Sequence, residues 1–565
     1  MITPKLPALR RREPFFFCSA PPARRWVLGA GVLLGGGYLI LHLWSLSWFP
    51  FVHSDEAWLA SLSRTMFLEG RVDATEEFFR LTPRYPHALK TLFHLVQAPF
   101  VLLSWNVMAA RIPSLLAGLA TVGLLAVAVR RMTGSRVVAG AVAAGLALDV
   151  QFFYASHFAR QEVFVLLALT GALWAVVRGS DAGRTGENVH PARSAAIAGG
   201  IIGLTIFVHP NAFIAALAIS PWVAMRGGRS GWLRALGIYG AILVAGAALA
   251  VGASFLMDPN FGTNYLAFGG SVGVTAGLPE RIARLGEYFI KLARGYAGTY
   301  YLPPVAPQLW ALAAVTAASI AVSLISRYRG RTEAVAPAGL SALFTLLAIF
   351  IIGKYSPPIV VFFFPWLYLQ IGLLLDRCRR YLPRFAIVLL LLIPIASGAQ
   401  LARELSQWYP GSYDRYLARV RTAIPEGDVA LANLNTAFAF EPGDLRVWRD
   451  LGSLPPRPKG AAPSPEAVSS PDDPLLERGV GQFLRQESVK WVVLPVEELE
   501  IIYRSRPVWN DVYGNPHRFY PDLQEILTHY GTRTDRFEAP RYAMRLVPYI
   551  EDGPHHVEIY RLDLP

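Results

Sequence analysis

Two adjacent carboxylates, Asp55 and Glu56, are the residues whose type and position most clearly favour chemistry. They follow an almost wholly apolar stretch, Trp26 to Phe49, which is long enough to cross a bilayer. A carboxylate at this level contacts a membrane-held substrate and a water-soluble one together. Two interpretations stand: a catalytic general base or metal ligand, and a helix N-terminus capped by Ser54 and Asp55. Because neighbours on a helix point about 100° apart, the two carboxylates are not expected to face one point equally.

A second polar cluster, residues 156–162, contains Arg160 and Glu162 at the predicted outer end of the third and fourth membrane spans. Charged groups at a membrane boundary are costly unless they are paired or functional. The planar guanidinium of Arg160 suits a phosphate group, and the alternative is an arginine that reaches the lipid headgroups. On a continuous helix Glu162 points away from Arg160, so it is expected to contact a different neighbour. Asp149, near the outer end of the third span, is expected to be a ligand or the partner of an arginine.

Further candidate binding residues lie in three segments that are predicted to face outward. Lys354 and Tyr355 occupy the turn between the ninth and tenth spans, where a lysine suits either a lipid-linked phosphate or an anchor at the headgroups. The first outer loop offers polar and basic groups for a substrate phosphate or sugar, or else an amphipathic helix at the membrane interface. In that loop the candidates are Tyr85, His87 and Lys90. His209, in a turn between two short spans, is a further candidate, and a structural role is the alternative for it.

The elements that position these residues are predicted to be membrane-spanning helices. Of the 565 residues, 53% are hydrophobic and 16% are charged, against roughly 25% charged residues in a typical soluble protein. The apolar stretches predict about eleven spans, at residues 26–49, 111–129, 137–153, 160–177, 195–209, 211–225, 235–256, 306–326, 336–353, 357–375 and 385–401.

The arginines of the chain cluster in short loops between these apolar stretches. With eleven spans beginning inside, the arginine clusters all face the cytoplasm, as the positive-inside rule requires. The net charge of +13 therefore reflects membrane topology, and a nucleic-acid partner is not expected. The same count places Asp55, the first outer loop 51–110 and the C-terminal tail on the outer side of the plasma or inner membrane.

Three regions follow from this pattern. Residues 1–25 are predicted to form a cytoplasmic segment, residues 26–401 an α-helical polytopic membrane domain, and residues 402–565 an extracytoplasmic α/β domain. In the last region, apolar and β-branched residues predict strands at 429–432, 489–494 and 557–560. Helices are predicted at 473–485 and 521–530, and the Pro-, Ser- and Ala-rich residues 454–474 predict a flexible loop.

Three short motifs carry a resemblance to a known family. They are Ser54–Trp58 after the first span, Arg111–Gly118 opening the second, and Ala159–Glu162 at the fourth. On these motifs the chain resembles the GT-C membrane glycosyltransferases, in the branch of the protein O-mannosyltransferases and the bacterial aminoarabinose transferase. The sequence has no P-loop, G-x-S-x-G elbow or H-E-x-x-H pair, so the common motifs of ATP hydrolysis and of serine or zinc hydrolases are missing.

The resemblance implies an enzyme that transfers a sugar from a polyprenyl-phosphate carrier to a glycan, lipid or protein acceptor at the outer membrane face. Asp55 would take the proton of the acceptor hydroxyl, and Arg160 and Lys354 would stabilise the leaving phosphate. Glu56 would orient the site or bind a divalent cation, although no cofactor is firmly indicated. The family's lysine-proline-proline element has its nearest match in Tyr85-Pro86-His87, with Lys90 displaced.

Two other functions stay open on the sequence. A transporter or flippase of lipid-linked sugars would place charged groups near the middle of the membrane and often contains an inverted repeat. Here the charges gather at the outer ends of the spans, and the sequence has no evident repeat. A non-catalytic assembly or sensor protein would instead bind a partner through the outer tail. Membrane lipids are expected to contact the protein in each case.

Overall fold

The computed structural model describes residues 35–75, 77–81, 85–178, 191–271, 274–294, 300, 303–328, 334–379, 381–409, 413–454, 475–477, 479–504, 519–539 and 555–565. The chain divides into two compact units, Met1–Leu46 and Ser47–Pro565. In the first unit a helix, α1, occupies residues 35–45. The predicted cytoplasmic segment 1–25 and the beginning of the first predicted span lie outside the described residues.

The second unit begins with a series of helices, and the first of them, α2, contains both candidate carboxylates. In chain order these are α2 (Ser54–Leu68), α3 (Thr91–Leu103), α4 (Val107–Thr133), α5 (Arg136–Ala147), α6 (Val150–His157), α7 (Glu162–Arg178), α8 (Pro191–Thr205), α9 (Ala212–Met257), α10 (Phe261–Ser271), α11 (Leu278–Arg294), α12 (Ala306–Tyr328), α13 (Val335–Ile352), α14 (Phe364–Cys378), α15 (Pro383–Trp408) and α16 (Tyr413–Ala423). Short 3₁₀ helices occupy Ala88–Lys90 and Pro357–Phe363. The predicted first outer loop thus contains two helices, α2 and α3.

Six helices of the described residues are long and apolar enough to cross a membrane, and α5 with α6, bent by 63°, makes a seventh if the pair is one span. The six are Val107–Thr133, Ser230–Met257, Ala306–Ile325, Val335–Ile352, Pro357–Cys378 and the helix that begins at Pro383. The protein is therefore a multi-pass membrane protein, but the count of eleven spans is not confirmed. Other predicted spans correspond to shorter helices, such as α7 and α8.

Glycines mark two places where the chain departs from a regular helix. At Gly228 a φ of 64° divides α9 into two helices, Ala212–Gly228 and Ser230–Met257, which correspond to the predicted spans 211–225 and 235–256. At Gly353 a φ of 73° ends α13 with a left-handed cap, and the chain turns directly into Lys354. The second turn matters for function because it sets the position of a predicted phosphate ligand.

Asp149 occupies the bend between α5 and α6. Its carboxylate accepts the backbone N–H groups of Gln151 and Phe152 at 3.0 and 3.1 Å, so it caps α6. The hydroxyl of Tyr368 donates to its other oxygen at 2.8 Å. Asp149 is thus a buried helix cap, and the arginine partner expected from the sequence is absent from its described contacts. The reason is that the predicted continuous span is bent here and exposes backbone N–H groups that need an acceptor.

A mixed five-stranded sheet forms near the C-terminus, with strand order β2-β1-β3-β5-β4. Its strands are β1 (Ala430–Ala432), β2 (Leu445–Val447), β3 (Trp491–Pro495), β4 (Gly531–Glu538) and β5 (His556–Leu562). β1 is parallel to β2 and β3, whereas β5 is antiparallel to β3 and β4. The three predicted strands are confirmed. β2 and β4 were not foreseen, since β2 has only three residues with an arginine at its centre and β4 is polar and has no buried residue.

Helices accompany this sheet: α17 (Trp448–Ser453), α18 (Gly479–Gln486), α19 (Val496–Arg504) and α20 (Tyr520–Tyr530), with 3₁₀ helices at Leu434–Ala439 and Pro442–Asp444. Both predicted helices of this region are confirmed, by α18 and α20. These two helices pack against the sheet, and the apolar core between them includes Leu431, Val492 and Ile526. The predicted flexible loop lies outside the described residues from position 455 onward.

Contacts between residues 64–105 and the sheet region fix α2 and α3 in place. The backbone N–H of Leu81 donates to Asp450 at 3.0 Å, and Arg64 of α2 pairs with Glu441 at 2.7 Å. The indole N–H of Trp105 donates to the carbonyl of Phe440 at 2.8 Å. The two hydrogen bonds join residues that are 369 and 335 positions apart in the sequence.

Asp450 is expected to make the stability of this junction depend on pH. Burial raises the pKa of its carboxyl to about 6, and the hydrogen bond from Leu81 only partly offsets this. Between about pH 4 and 6 the folded protein therefore keeps a proton that the unfolded chain has lost, so the free energy of unfolding falls as the pH rises. Asp450→Asn should remove this slope in unfolding experiments across that range. Asp563→Asn, at an exposed carboxylate, should keep it.

Candidate active site

Local backbone geometry at the start of α2 determines where Asp55 points. His53 is the N-cap, and its Nδ1 accepts the backbone N–H of Asp55 at 3.0 Å. Glu56 completes a capping box by accepting the backbone N–H of His53 at 3.0 Å. The sequence suggested Ser54 and Asp55 as caps, and this detail is corrected: His53 takes that role. The carboxylate of Asp55 is consequently directed to partners outside its own helix.

Those partners are Arg160 and Tyr300. Nη1 of Arg160 donates to Oδ2 of Asp55 at 2.6 Å, and the hydroxyl of Tyr300 donates to the same oxygen at 2.9 Å. Nη1 also donates to the Tyr300 hydroxyl at 2.6 Å, which closes a three-membered ring of polar contacts. The side chain of Asp55 is 23% exposed and that of Arg160 is 10% exposed. Two predicted site residues 105 positions apart are thus brought together, as the resemblance implied.

Glu162 does not point away from Arg160, contrary to the expectation from the sequence. Its Oε1 lies 3.0 Å from Nη2 of Arg160. The expectation assumed a continuous helix, but residues 158–161 are bent and α7 begins only at Glu162. Within the described part of the chain, Nε of Arg160 and Oε2 of Glu162 are buried and lack a hydrogen-bond partner. Such atoms are costly unless a ligand or water contacts them.

Glu56 and Arg111 form a separate, fully buried ion pair behind Asp55. Nε and Nη2 of Arg111 donate to the two carboxylate oxygens of Glu56 at 2.7 and 2.8 Å. Glu56 also accepts the backbone N–H of Ala159 at 3.0 Å. Arg111 further donates to the carbonyls of Phe49 and Pro50 at 3.2 and 3.0 Å. The pair therefore links the segment before α2, the start of α4 and the bend that carries Arg160.

Each oxygen of Glu56 accepts two hydrogen bonds, and its side chain is only 1% exposed. A carboxylate engaged in this way has no direct route to a substrate or metal ion. The two adjacent acids thus face different surroundings, as expected for helix neighbours, with Asp55 turned outward and Glu56 turned inward. The geometry fits Glu56 as the residue that orients the site rather than one that reacts.

Two lysines from other segments, Lys90 and Lys354, interact electrostatically with the Asp55–Arg160 pair. The ammonium of Lys90 lies 5.2 Å from the centre of the Trp58 ring, and its charge acts on both Asp55 and His209. The pKa of Lys354 is lowered by burial and by the charge of Arg160. Burial and then the charges of Lys90, Lys354, Arg160 and His87 hold the pKa of His209 well below its usual value. Five of the predicted binding residues therefore share one electrostatic environment.

Two other predicted residues, Tyr355 and Tyr85, make their described contacts with residues other than Asp55. The hydroxyl of Tyr355 donates to the carbonyl of Arg281 at 3.0 Å, on helix α11. Tyr85 packs beside His87, with ring centres 5.6 Å apart, and joins a small apolar cluster with Phe261. Tyr85 and Tyr355 thus contribute to packing around the cationic groups, whereas Lys90 and Lys354 contribute charge.

Asp55 is anionic over the physiological pH range. Burial would raise the pKa of its carboxyl, but Arg160, His53, the Tyr300 hydroxyl and Lys90 together outweigh burial and lower it. The stabilisation from the Asp55–Arg160 pair is therefore fully present above the unfolded pKa of about 3.9 and is lost as the pH falls below it. Across the ranges that the structure describes, no three His, Cys, Asp or Glu side chains converge as a metal site. The donor set does not fit a divalent cation at Asp55.

Three residues of this arrangement were not identified as site residues from the sequence. Arg111 belongs to a motif that carried the resemblance, and an arginine at the start of an apolar helix was the available signal. His53 precedes the carboxylates directly, but its capping role depends on the backbone conformation. Tyr300 lies 245 residues from Asp55 in a segment without any recognisable motif, so only the fold reveals it.

Solved structures provide the comparison for this fold. ArnT from Cupriavidus metallidurans, crystallised with undecaprenyl phosphate, superposes over 94% of this chain and 98% of its own with a TM-score of 0.52 at 15% sequence identity. The chain has the fold of this ArnT, a GT-C fold. The apo form of the same ArnT matches with a TM-score of 0.47 at 16% identity over 73% of this chain and 84% of its own.

A more distant similarity extends to an archaeal protein. The oligosaccharyltransferase of Archaeoglobus fulgidus, in its complex with Zn and sulfate, has a TM-score of 0.46 at 14% identity, covering 86% of this chain and 69% of that one. No family model matches the sequence, and no curated protein is significantly similar to it. The likeness is therefore one of fold, and the chemistry has to be argued from the residues of this chain.

Proposed function

We propose that this protein transfers a sugar from a polyprenyl-phosphate carrier to an acceptor hydroxyl at the outer face of the membrane. The observation that carries the proposal is the contact between Asp55 and Arg160 within a group of cations. A carboxylate suited to an acceptor hydroxyl and an arginine suited to a phosphate lie 2.6 Å apart. A transferase needs both groups at one place because it breaks and forms bonds at a single carbon.

In the proposed reaction each of these residues has a separate role. The acceptor oxygen attacks the anomeric carbon of the sugar, and the bond from this carbon to the phosphate oxygen breaks with its electron pair on the phosphate. Asp55 accepts the proton of the attacking hydroxyl. Arg160, Lys90 and Lys354 stabilise the charge on the leaving phosphate. The unpaired, buried Nε of Arg160 supports this role, since a phosphate oxygen would satisfy it.

The topology is part of the same proposal. The eleven-span arrangement would place α2, α3 and the C-terminal sheet outside the cytoplasm, and the arginine-rich loops inside. The carrier lipid would then reach Arg160 from the outer leaflet, while the acceptor approaches Asp55 from the aqueous side. The first outer helices α2 and α3 and the sheet region would together form the extracytoplasmic part of the enzyme.

Lipid binding to the purified protein tests the phosphate site. In nanodiscs, Lys354→Gln is expected to weaken binding of undecaprenyl phosphate by about tenfold to a hundredfold, since one charge partner of a buried phosphate contributes on the order of 1.5–3 kcal/mol. Lys291→Gln is the matched control, because this lysine is exposed and pairs with Glu287 on α11. Equal affinity for Lys354→Gln and the unaltered protein would remove Lys354 from the site.

A product assay separates the transferase from the flippase. Vesicles with the protein, a sugar-linked polyprenyl phosphate and an added hydroxyl-bearing acceptor should yield free polyprenyl phosphate and a covalent sugar–acceptor product. Movement of the intact lipid-linked sugar between leaflets without such a product would contradict the proposal and favour a transporter.

A further inference from the structure

The hydroxyl of Tyr300 contacts both partners of the central ion pair. It donates to Oδ2 of Asp55 at 2.9 Å and accepts from Nη1 of Arg160 at 2.6 Å. Nη1 of Arg160 therefore donates to two acceptors, the Tyr300 hydroxyl and Oδ2 of Asp55. Tyr300 is therefore the bridge between the carboxylate that would act on the acceptor and the arginine that would act on the donor.

The position of Tyr300 is fixed from the Asp55 side of the site. Its ring stacks on that of His53, with centres 4.3 Å apart and an interplanar angle of 7°. His53 is in turn held by the hydrogen bond between its Nδ1 and the backbone N–H of Asp55. The Arg160 guanidinium lies 5.1 Å from the centre of the Tyr300 ring. A shift of Arg160 would therefore leave Tyr300 attached to the start of α2.

A phosphate at Arg160 would compete with Asp55 for the same donors. Nη2 of Arg160 contacts Glu162 at 3.0 Å and Nη1 contacts Asp55, so only Nε among its nitrogens lacks an acceptor within the described residues. A bidentate phosphate contact needs two adjacent N–H groups of the planar fork. It also brings a second anion beside Asp55, which like-charge repulsion opposes. On the edge formed by Nη1 and Nη2 the phosphate competes with Asp55 for Nη1, and on the edge formed by Nε and Nη2 it competes with Glu162 for Nη2. On either edge it is a second anion beside Asp55 and weakens the hold of Arg160 on that carboxylate.

We propose that the lipid phosphate displaces Asp55 from Arg160, and that Tyr300 is the positioning residue which keeps hold of the released carboxylate and directs it to the acceptor hydroxyl. This inference rests on the proposed function and adds an order of events to it. While Arg160 holds Asp55, the carboxylate is a weak proton acceptor. Once phosphate occupies Arg160, the carboxylate loses its strongest cationic partner and accepts a proton more readily. Donor binding thereby activates the base.

The competition makes an unusual binding prediction. Asp55→Asn should bind undecaprenyl phosphate about tenfold more tightly than the unaltered protein in nanodiscs, although the same variant loses sugar transfer. The carboxylate of Asp73 is the matched control, since it is exposed and pairs with Arg71 in the same outer segment. Asp73→Asn should leave the affinity unchanged. In an Arg160→Gln background the gain from Asp55→Asn should disappear, because the shared donor is missing.

Tyr300→Phe tests the positioning role with the ring and its stacking retained. Removal of the hydroxyl should lower kcat for transfer about tenfold and leave undecaprenyl phosphate affinity unchanged or higher. A loss of lipid affinity together with kcat would mean that Tyr300 only holds the pocket together, and would overturn its assigned role. Unchanged affinity in Asp55→Asn would overturn the competition while leaving the proposed function intact. If the unaltered protein binds no undecaprenyl phosphate, the proposed function itself fails.

Discussion

Asp55→Asn is expected to reduce sugar transfer by about a hundredfold to ten-thousandfold, the range by which a positioned base accelerates proton transfer. Asparagine matches aspartate in size and still accepts a hydrogen bond from Tyr300, so the site keeps its shape. It loses the negative charge that draws a proton from the acceptor. The measurement is the initial rate of sugar transfer from a polyprenyl-phosphate-linked donor, with the purified protein in vesicles.

Two variants make this result interpretable. Asp73→Asn removes an exposed carboxylate of the same outer segment and should transfer sugar at the rate of the unaltered protein. Asp55→Glu restores the charge at a displaced position and should recover part of the rate. Unchanged chromatographic behaviour and thermal stability of Asp55→Asn would separate chemistry from folding. A rate close to that of the unaltered protein would exclude Asp55 as the base.

The sequence was sufficient to locate the outer carboxylate and its arginine because each belongs to a short motif beside an apolar stretch. Membrane-spanning helices are read from composition, and their ends place polar residues at the same level of the bilayer. The assignment of the two residues to one reaction site came from the resemblance to a known family, which implied Asp55 at the acceptor hydroxyl and Arg160 at the leaving phosphate. The charge of Lys354 was predicted from an outward turn between two apolar helices.

Other features depended on backbone conformation that composition does not encode. Glu162 pairs with Arg160 because residues 158–161 leave the helical path, and Asp149 became a helix cap because the span bends beside it. The count of eleven spans is not confirmed, since six helices of the described residues are long and apolar enough to cross a membrane and other apolar segments form shorter helices. Tyr300 depends on long-range packing alone. Sequence patterns therefore located the chemical groups, whereas the fold determined their partners.

The roles of the two adjacent acids also differ for a physical reason. Glu56 lies on the inner side of α2, where burial requires a full set of partners, and Arg111 together with two backbone N–H groups supplies them. Through the N–H of Ala159 this carboxylate fixes the residue next to Arg160. Asp55, on the outer side, remains accessible to a substrate. One acid therefore holds this part of the structure together, and the other is the acid that the proposed mechanism uses.

Arg111→Met is expected to lower the free energy of unfolding by about 3–5 kcal/mol, because it leaves the Glu56 carboxylate buried without its cation. The carbonyls of Phe49 and Pro50 lose donors as well. Unfolding in mixed micelles with increasing dodecyl sulfate measures the change. Because Ala159 precedes Arg160, the surviving folded fraction should also bind undecaprenyl phosphate more weakly.

The exposed pair between Arg71 and Asp73 is the matched control for this prediction. Its side chains are 61% and 39% exposed, so Arg71→Met should cost less than about 1 kcal/mol. Combining Arg111→Met with Glu56→Leu removes both buried charges and should recover a large part of the lost stability, since no uncompensated ion remains. Equal stability of Arg111→Met and Arg71→Met would show that the buried pair does not hold the site together. Loss of lipid affinity in the double variant, despite recovered stability, is expected because the link from Glu56 to the bend beside Arg160 is still absent.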